Sequence, residues 1–251
     1  MTNPILSQNA LNLLQNLDQN TSTNPNGMAD YNKLLGYIQS DPTLINQLNT
    51  DVGNTWVKSF NWSAQAGSGA FFNGSDDSIN INVSTFTAIP PEYLPYTETF
   101  VLAHELGHSE FAEGNAFGLP TPFQAANTLQ GLVGDGTSDL TSGIQAYEGD
   151  YNYNESNSQL LGFNAVLSEY YGSNNITDPT AAQIQSAYKA AWNSGYGQYF
   201  LTNVSRNTYS LQPGLATDNS GTGALAVSLA NMAAEGNYYN QMGSGSVSST
   251  G

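Results

Sequence analysis

Residues 97–108 read Thr97-Glu98-Thr99-Phe100-Val101-Leu102-Ala103-His104-Glu105-Leu106-Gly107-His108, an apolar helical run that carries His-Glu-x-x-His. Positions four apart share one face of an α-helix, so His104 and His108 aim two imidazole nitrogens in one direction, while Glu105 falls beside that face. Val101, Leu102, Ala103 and Leu106 make this a helix to be buried, where unpartnered imidazoles are costly. A shared metal ion is the expected solution. Zinc fits best, because two neutral imidazoles and a carboxylate leave a fourth tetrahedral position for water. Glu105 is too far round the helix to be a ligand. It is expected to take a proton from that water and pass it to a leaving amine. The chain has two histidines in all, and both lie in this pentad.

Upstream of this stretch, apolar periodicity predicts helices over residues 4–18 and 29–39 and from Pro42 to about residue 48, the last with Asp41 as N-cap and proline at its first position. Residues 56–62, 70–72 and 78–83 change to a strand pattern, the last with strict alternation, and Asn73-Gly74 marks a turn. Ile89-Pro90-Pro91 reads as an extended linker, after which the central helix is expected from residue 96 or 97 to about 114. Downstream, helices are expected over 122–132, 150–171, 181–192 (capped by Asp178-Pro179) and 225–238, with a flexible Gly/Ser tail from 243. The expected class is α+β, mostly helical, with a small sheet before the active helix. The domain reading is a helical scaffold at 1–52, a main domain at 53–242 and the tail at 243–251.

Composition narrows the partners. Four Lys and Arg against 20 Asp and Glu give a net charge of −16, which repels phosphate backbones and anionic lipid. Neither nucleic acid nor a membrane is an expected partner, and a monomer acting on a polypeptide is. Basic or neutral peptides are expected to be favoured over acidic ones. There are no cysteines, so neither disulfides nor thiolate ligands are available. The first residues lack the basic and apolar regions of a Sec-type signal, yet sparse charge and abundant Asn, Ser, Gly and Tyr look like bacterial proteins exported by signal-less routes. The expected location is therefore extracellular. Ca2+ is a further candidate cation near Asp76-Asp77 or within 135–139, although neither stretch follows the twelve-residue EF-hand pattern.

With both histidines used and cysteine absent, a third protein ligand has to be a carboxylate. The His-Glu-x-x-His helix resembles that of the zincin metallopeptidases. The metzincin extension is missing, because His108 is followed by Ser109-Glu110-Phe111-Ala112-Glu113. Asn154-Glu155-Ser156-Asn157-Ser158-Gln159 is similar to the gluzincin pattern of thermolysin-like enzymes, and that resemblance implies Glu155 as the third ligand. It departs in a longer separation from His108 and in Gln159, which stands where those enzymes carry an Asp that orients the first histidine. A Gln carbonyl could accept that imidazole N–H in its place. The second candidate is Asp139, since Gly136-Thr137-Ser138-Asp139 resembles the aspzincin signature. Glu148 and Asp150 remain as outsiders.

The resemblance implies a zinc endopeptidase with His104, His108 and Glu155 on the metal and Glu105 as base. It also implies that the strand before the active helix, within 71–83, aligns an extended peptide. The contrasting expectation is a non-catalytic module of a secreted adhesin or effector, in which zinc ties two helices together. Arg206 is expected to pair structurally with an acid and, like Tyr209, stays outside the site, and Met232 reads as part of a core helix.

Overall fold

The structure is a computed structural model that describes residues 4–19, 22–65, 69–114, 141–193, 209–211 and 216–218. Four helices open the chain: α1 (Gln8–Leu14), α2 (Asn16–Gln19), α3 (Gly27–Ser40) and α4 (Pro42–Gly53). The single helix expected over 4–18 is two. Ser7 caps α1 by accepting from the Ala10 N–H, and Asn49 holds the non-helical lead-in by bonding Ser7 N–H and the Ile5 carbonyl. These side-chain bonds to the backbone stop the helix from extending towards Pro4. Asp41 behaves as its sequence predicts, accepting from Thr43 and Leu44 at 2.9 and 3.1 Å, with Pro42 at the first helical position.

A three-stranded sheet follows, made of β1 (Ser59–Ser63), β2 (Ala70–Asn73) and β3 (Ser78–Asn82) in the order β1-β3-β2. β3 is central, antiparallel to β2 and parallel to β1. Alternation places Phe60, Trp62, Ile79 and Ile81 inward, against the buried Leu14, Leu17, Leu34, Ile38 and Leu48 of the helices. The Trp62 indole donates to the Leu17 carbonyl, so its polar edge is satisfied within that core.

A short helix, α5 (Thr85–Ala88), precedes the segment that begins at Ile89, and α6 (Leu94–Gly114) begins earlier than expected. Pro95 sits in its first turn, where a missing N–H costs nothing. Then come α7 (Thr141–Ser173), α8 (Ala181–Asn193) and the antiparallel pair β4 (Tyr209–Leu211) and β5 (Ala216–Asp218). α7 starts about two turns earlier than its apolar pattern indicated. Thr180 and Gln183 bond reciprocally at the start of α8, so Thr180 is the cap in place of Asp178-Pro179. The helices expected over 122–132 and 225–238 and the tail lie outside the described residues. Among the described residues the fold is mixed, helices with a small sheet before α6, and no helix is long and apolar enough to cross a membrane.

α6 is buried on both sides. Val101, Leu102, Ala103 and Leu106 join the core of the first four helices and the sheet, while Phe100 joins Phe163, Val166, Leu167, Tyr171, Ala187 and Ala191 of α7 and α8. α4 grips it through polar groups as well: Gln47 donates to the Ala103 carbonyl, and Ser109 donates to Asp51. α7 lies directly along it, and two glycines make that approach possible. A Cβ at Gly162 would stand 2.8 Å from the Phe100 carbonyl oxygen, and one at Gly107 would stand 2.9 Å from the Ser158 Cα.

Candidate metal centre

α6 presents His104 and His108 one turn apart towards α7, and their Nε2 atoms lie 3.0 Å from each other with the rings nearly perpendicular. Glu155 enters from α7 and divides its carboxylate between them. Its Oε1 is 3.3 Å from His104 Nε2 and its Oε2 is 3.4 Å from His108 Nε2. For metal–ligand bonds of about 2.0–2.1 Å, the ligand atoms of a tetrahedral zinc lie roughly 3.3 Å apart. The two imidazole nitrogens, 3.0 Å apart, stand close to one edge of such a tetrahedron, and each has a different oxygen of Glu155 within 3.4 Å. Among the described residues this is the one group of three or more His, Asp or Glu close enough to hold an ion. The donor set fits zinc.

No family model, curated protein or solved structure matches this chain.

The surroundings decide which ring atoms are available. His108 Nδ1 lies 3.0 Å from Asn154 Oδ1 and 3.2 Å from Ser158 Oγ, so it carries its proton there and turns the Nε2 lone pair inward. His104 is stacked on the Phe100 ring, and its buried Nδ1 makes no well-formed hydrogen bond. Burial lowers the His104 pKa to about 4; Glu155 acts in the opposite sense, His108 lowers it further and the Ser158 backbone raises it. At neutral pH the ring is therefore uncharged, which is the form that binds a metal.

Glu105 points elsewhere. Its Oε2 accepts the Phe72 N–H of β2 at 2.7 Å, and it is not a member of the three-residue donor group. Burial pushes its pKa up to about 7, against the lowering effects of His108 and the Phe72 hydrogen bond, with Glu155 adding to the rise. A carboxylate with near-neutral proton affinity, next to two imidazoles but not among the donors, has the properties of a general base.

Glu155 is thus brought to the histidines. Asp139 lies outside the described residues, as does Arg206, and the side chains of Glu148, Asp150 and Tyr209 do too. Gln159 differs from expectation: it donates its amide to Glu155 Oε1 at 3.1 Å, and its own carbonyl oxygen makes no hydrogen bond. Asn154 and Ser158 acquire roles as partners of His108 that their sequence pattern held only as a likeness. At the proposed calcium turn, Asp77 is paired with Lys58 and Asp76 accepts from the Ser78 hydroxyl, so protein groups engage both carboxylates.

Proposed function

We propose that this protein is a zinc-dependent endopeptidase of the gluzincin type on a zincin-like fold. The observation that carries the reading is the convergence of His104, His108 and Glu155 within reach of one ion, with Glu105 beside them and outside the donor set. Zinc held there would polarise a peptide carbonyl and make water acidic enough to lose a proton near neutral pH. The remaining work belongs to the chain. Asn154 and Ser158 fix the ring of His108, and Phe72 fixes Glu105. Glu105 accepts the proton of the attacking water and delivers it to the amine nitrogen as the peptide bond breaks.

The position of β2 supports a polypeptide substrate. It is an edge strand of its sheet, and Phe72, paired in register with Ile79, spends its N–H on Glu105. A peptide extended alongside β2 would pass in front of the base, the arrangement that strand addition provides.

The test is Glu105→Gln, with zinc content and casein hydrolysis measured on the same samples as wild type. Wild type is expected to hold one zinc and cleave casein; the variant should keep the zinc and lose about 10²–10⁴ in rate. Full activity in the variant overturns the mechanism. The second reading, a zinc-stabilised module without activity, draws on how closed the donors are, their side chains being 12%, 19% and 11% exposed for His104, His108 and Glu155. Wild-type protein that binds zinc and cleaves no unstructured polypeptide would favour that module.

A further inference from the structure

We propose that Asn73-Gly74, at the turn that ends β2, is a self-modifying site, where the Asn73 side chain cyclises onto the Gly74 nitrogen and reopens as aspartate or isoaspartate. The site stands apart from the zinc reading above. The sequence holds two Asn-Gly dipeptides, Asn26-Gly27 and Asn73-Gly74, and in each the missing Cβ lets a backbone nitrogen come close to the preceding side chain. The fold treats them differently. Gly27 is buried in the first turn of α3, and its N–H is held by the Asn24 carbonyl at 2.9 Å. Gly74 is exposed just past the end of β2, and among the described residues no group accepts its N–H.

The Asn73 side chain is already folded for the reaction. Its Oδ1 accepts the Ser75 N–H at 3.2 Å and the Ser75 hydroxyl at 2.8 Å. The first of these bonds closes an Asx turn around the Gly74 peptide, which lays Cγ alongside the Gly74 nitrogen. Both donors point at the atom that gains negative charge as that nitrogen attacks, and donors aimed at developing charge lower a barrier. In the reaction, hydroxide takes the Gly74 amide proton, the bond from Gly74 N to Asn73 Cγ forms, and the Cγ–Nδ2 bond breaks as ammonia leaves. Water then opens the five-membered imide. Cleavage of the bond to Cγ gives aspartate, and cleavage of the bond to the backbone carbonyl carbon gives isoaspartate, whose main chain runs through Cβ. Either product takes the net charge from −16 to −17. Isoaspartate also lengthens the main chain by one carbon at the residue that pairs with Ser78 and follows Phe72, next to the donor that holds Glu105.

The experiment incubates the full folded chain at mildly alkaline pH and follows the peptides containing Asn26 and Asn73 by mass spectrometry, with fragmentation to tell isoaspartate from aspartate. A parallel incubation in denaturant removes the fold. In the native protein Asn73 should convert while Asn26 stays intact, and in denaturant both should convert. Gly74→Ala fits the folded turn, since its Cβ would meet only Phe72 Cε1 at 3.5 Å, and it should lose the conversion of Asn73 within the same incubation. Ser75→Ala removes one of the two donors to Oδ1 and should slow conversion by about 2–10-fold. Melting curves show that both variants fold. Native protein in which Asn73 stays intact, or in which Asn26 converts as fast, overturns the proposal. Conversion in folded Ser75→Ala at the wild-type rate or faster overturns it as well, because the turn would then do nothing that the dipeptide alone does not.

Discussion

Replacing Gly162 by alanine tests the helix contact that brings Glu155 to the histidines. The added methyl carbon would lie 2.8 Å from the Phe100 carbonyl oxygen and 3.0 and 3.1 Å from two carbons of its ring. Ordinary contact begins near 3.4 Å, so α7 has to move away from α6 by roughly 0.5 Å. The obstacle is backbone on one side and a fully buried ring on the other, neither of which can rotate out of the way. Overpacking of this kind costs about 1–3 kcal/mol. In a chain of this size that lowers the melting temperature by about 2–12 °C.

The displacement should also reach the donor group, because metal sites tolerate only about ±0.2 Å. A tenfold weaker zinc affinity is the expected result, which reduces the stabilisation by saturating zinc by about 1.4 kcal/mol. Thermal unfolding followed by circular dichroism, in chelator and again in excess zinc, separates the two effects. The chelated melt reads packing alone, and the zinc increment reads ligand displacement. Gly36 on α3 is the control, since a Cβ there meets nothing within 4 Å and alanine should stabilise by about 0.5–1 kcal/mol. Gly162→Ala with wild-type melting in chelator would refute the close-contact argument. A reduced melting temperature with an unchanged zinc increment would refute the link between that contact and the site.

Two other outcomes follow from buried polar groups. Burial raises Asp41 and Asp51 to about 8 and Glu98 well above its usual value, so the native state holds protons that the unfolded chain has released. Their stabilisation is complete below the unfolded carboxylate range and is lost as pH rises through about 8, whereas the lowered His104 opposes acidification only below about 6.5. Denaturant titrations in chelator should therefore show stability falling from pH 6.5 to pH 8; a rise across that window would contradict the assignment. Asn154→Ala removes an acceptor from His108 Nδ1 and should weaken zinc binding about 10–100-fold in a chelator competition, while unchanged affinity would refute this role for Asn154.

The helix of the two histidines was legible because its signal is local: residue type, spacing of four and an apolar background coincide within a dozen positions. The Asp41-Pro42 start was legible for the same reason. Glu155 was a different problem. The chain has 20 acidic residues, and selecting one requires knowing which helix lies on α6, information carried by Gly107 and Gly162 only once the helices are in contact. The extra N-terminal length of α7 was invisible because Thr141-Ser142-Gly143 offers no apolar stripe and reads as a loop. Gln159 was misjudged because a sequence likeness gives the position of an amide but not its direction, and its two ends can serve different ligands. The parallel pairing of β1 with β3 likewise depends on where β2 inserts, which no alternation pattern specifies.

The two-sided burial of α6 sets a limit on how this protein can move. A helix with one dry face can swing on its hinges while its wet face gives way. α6 has apolar partners from the sheet side through Leu102 and Leu106 and from α7 through Phe100, with Gln47 and Asp51 holding its polar groups. Freeing it would open both clusters together. The imidazoles therefore belong to a firmly held part of the described residues, and under the function proposed above any motion that admits a substrate has to come from the segments that surround this helix.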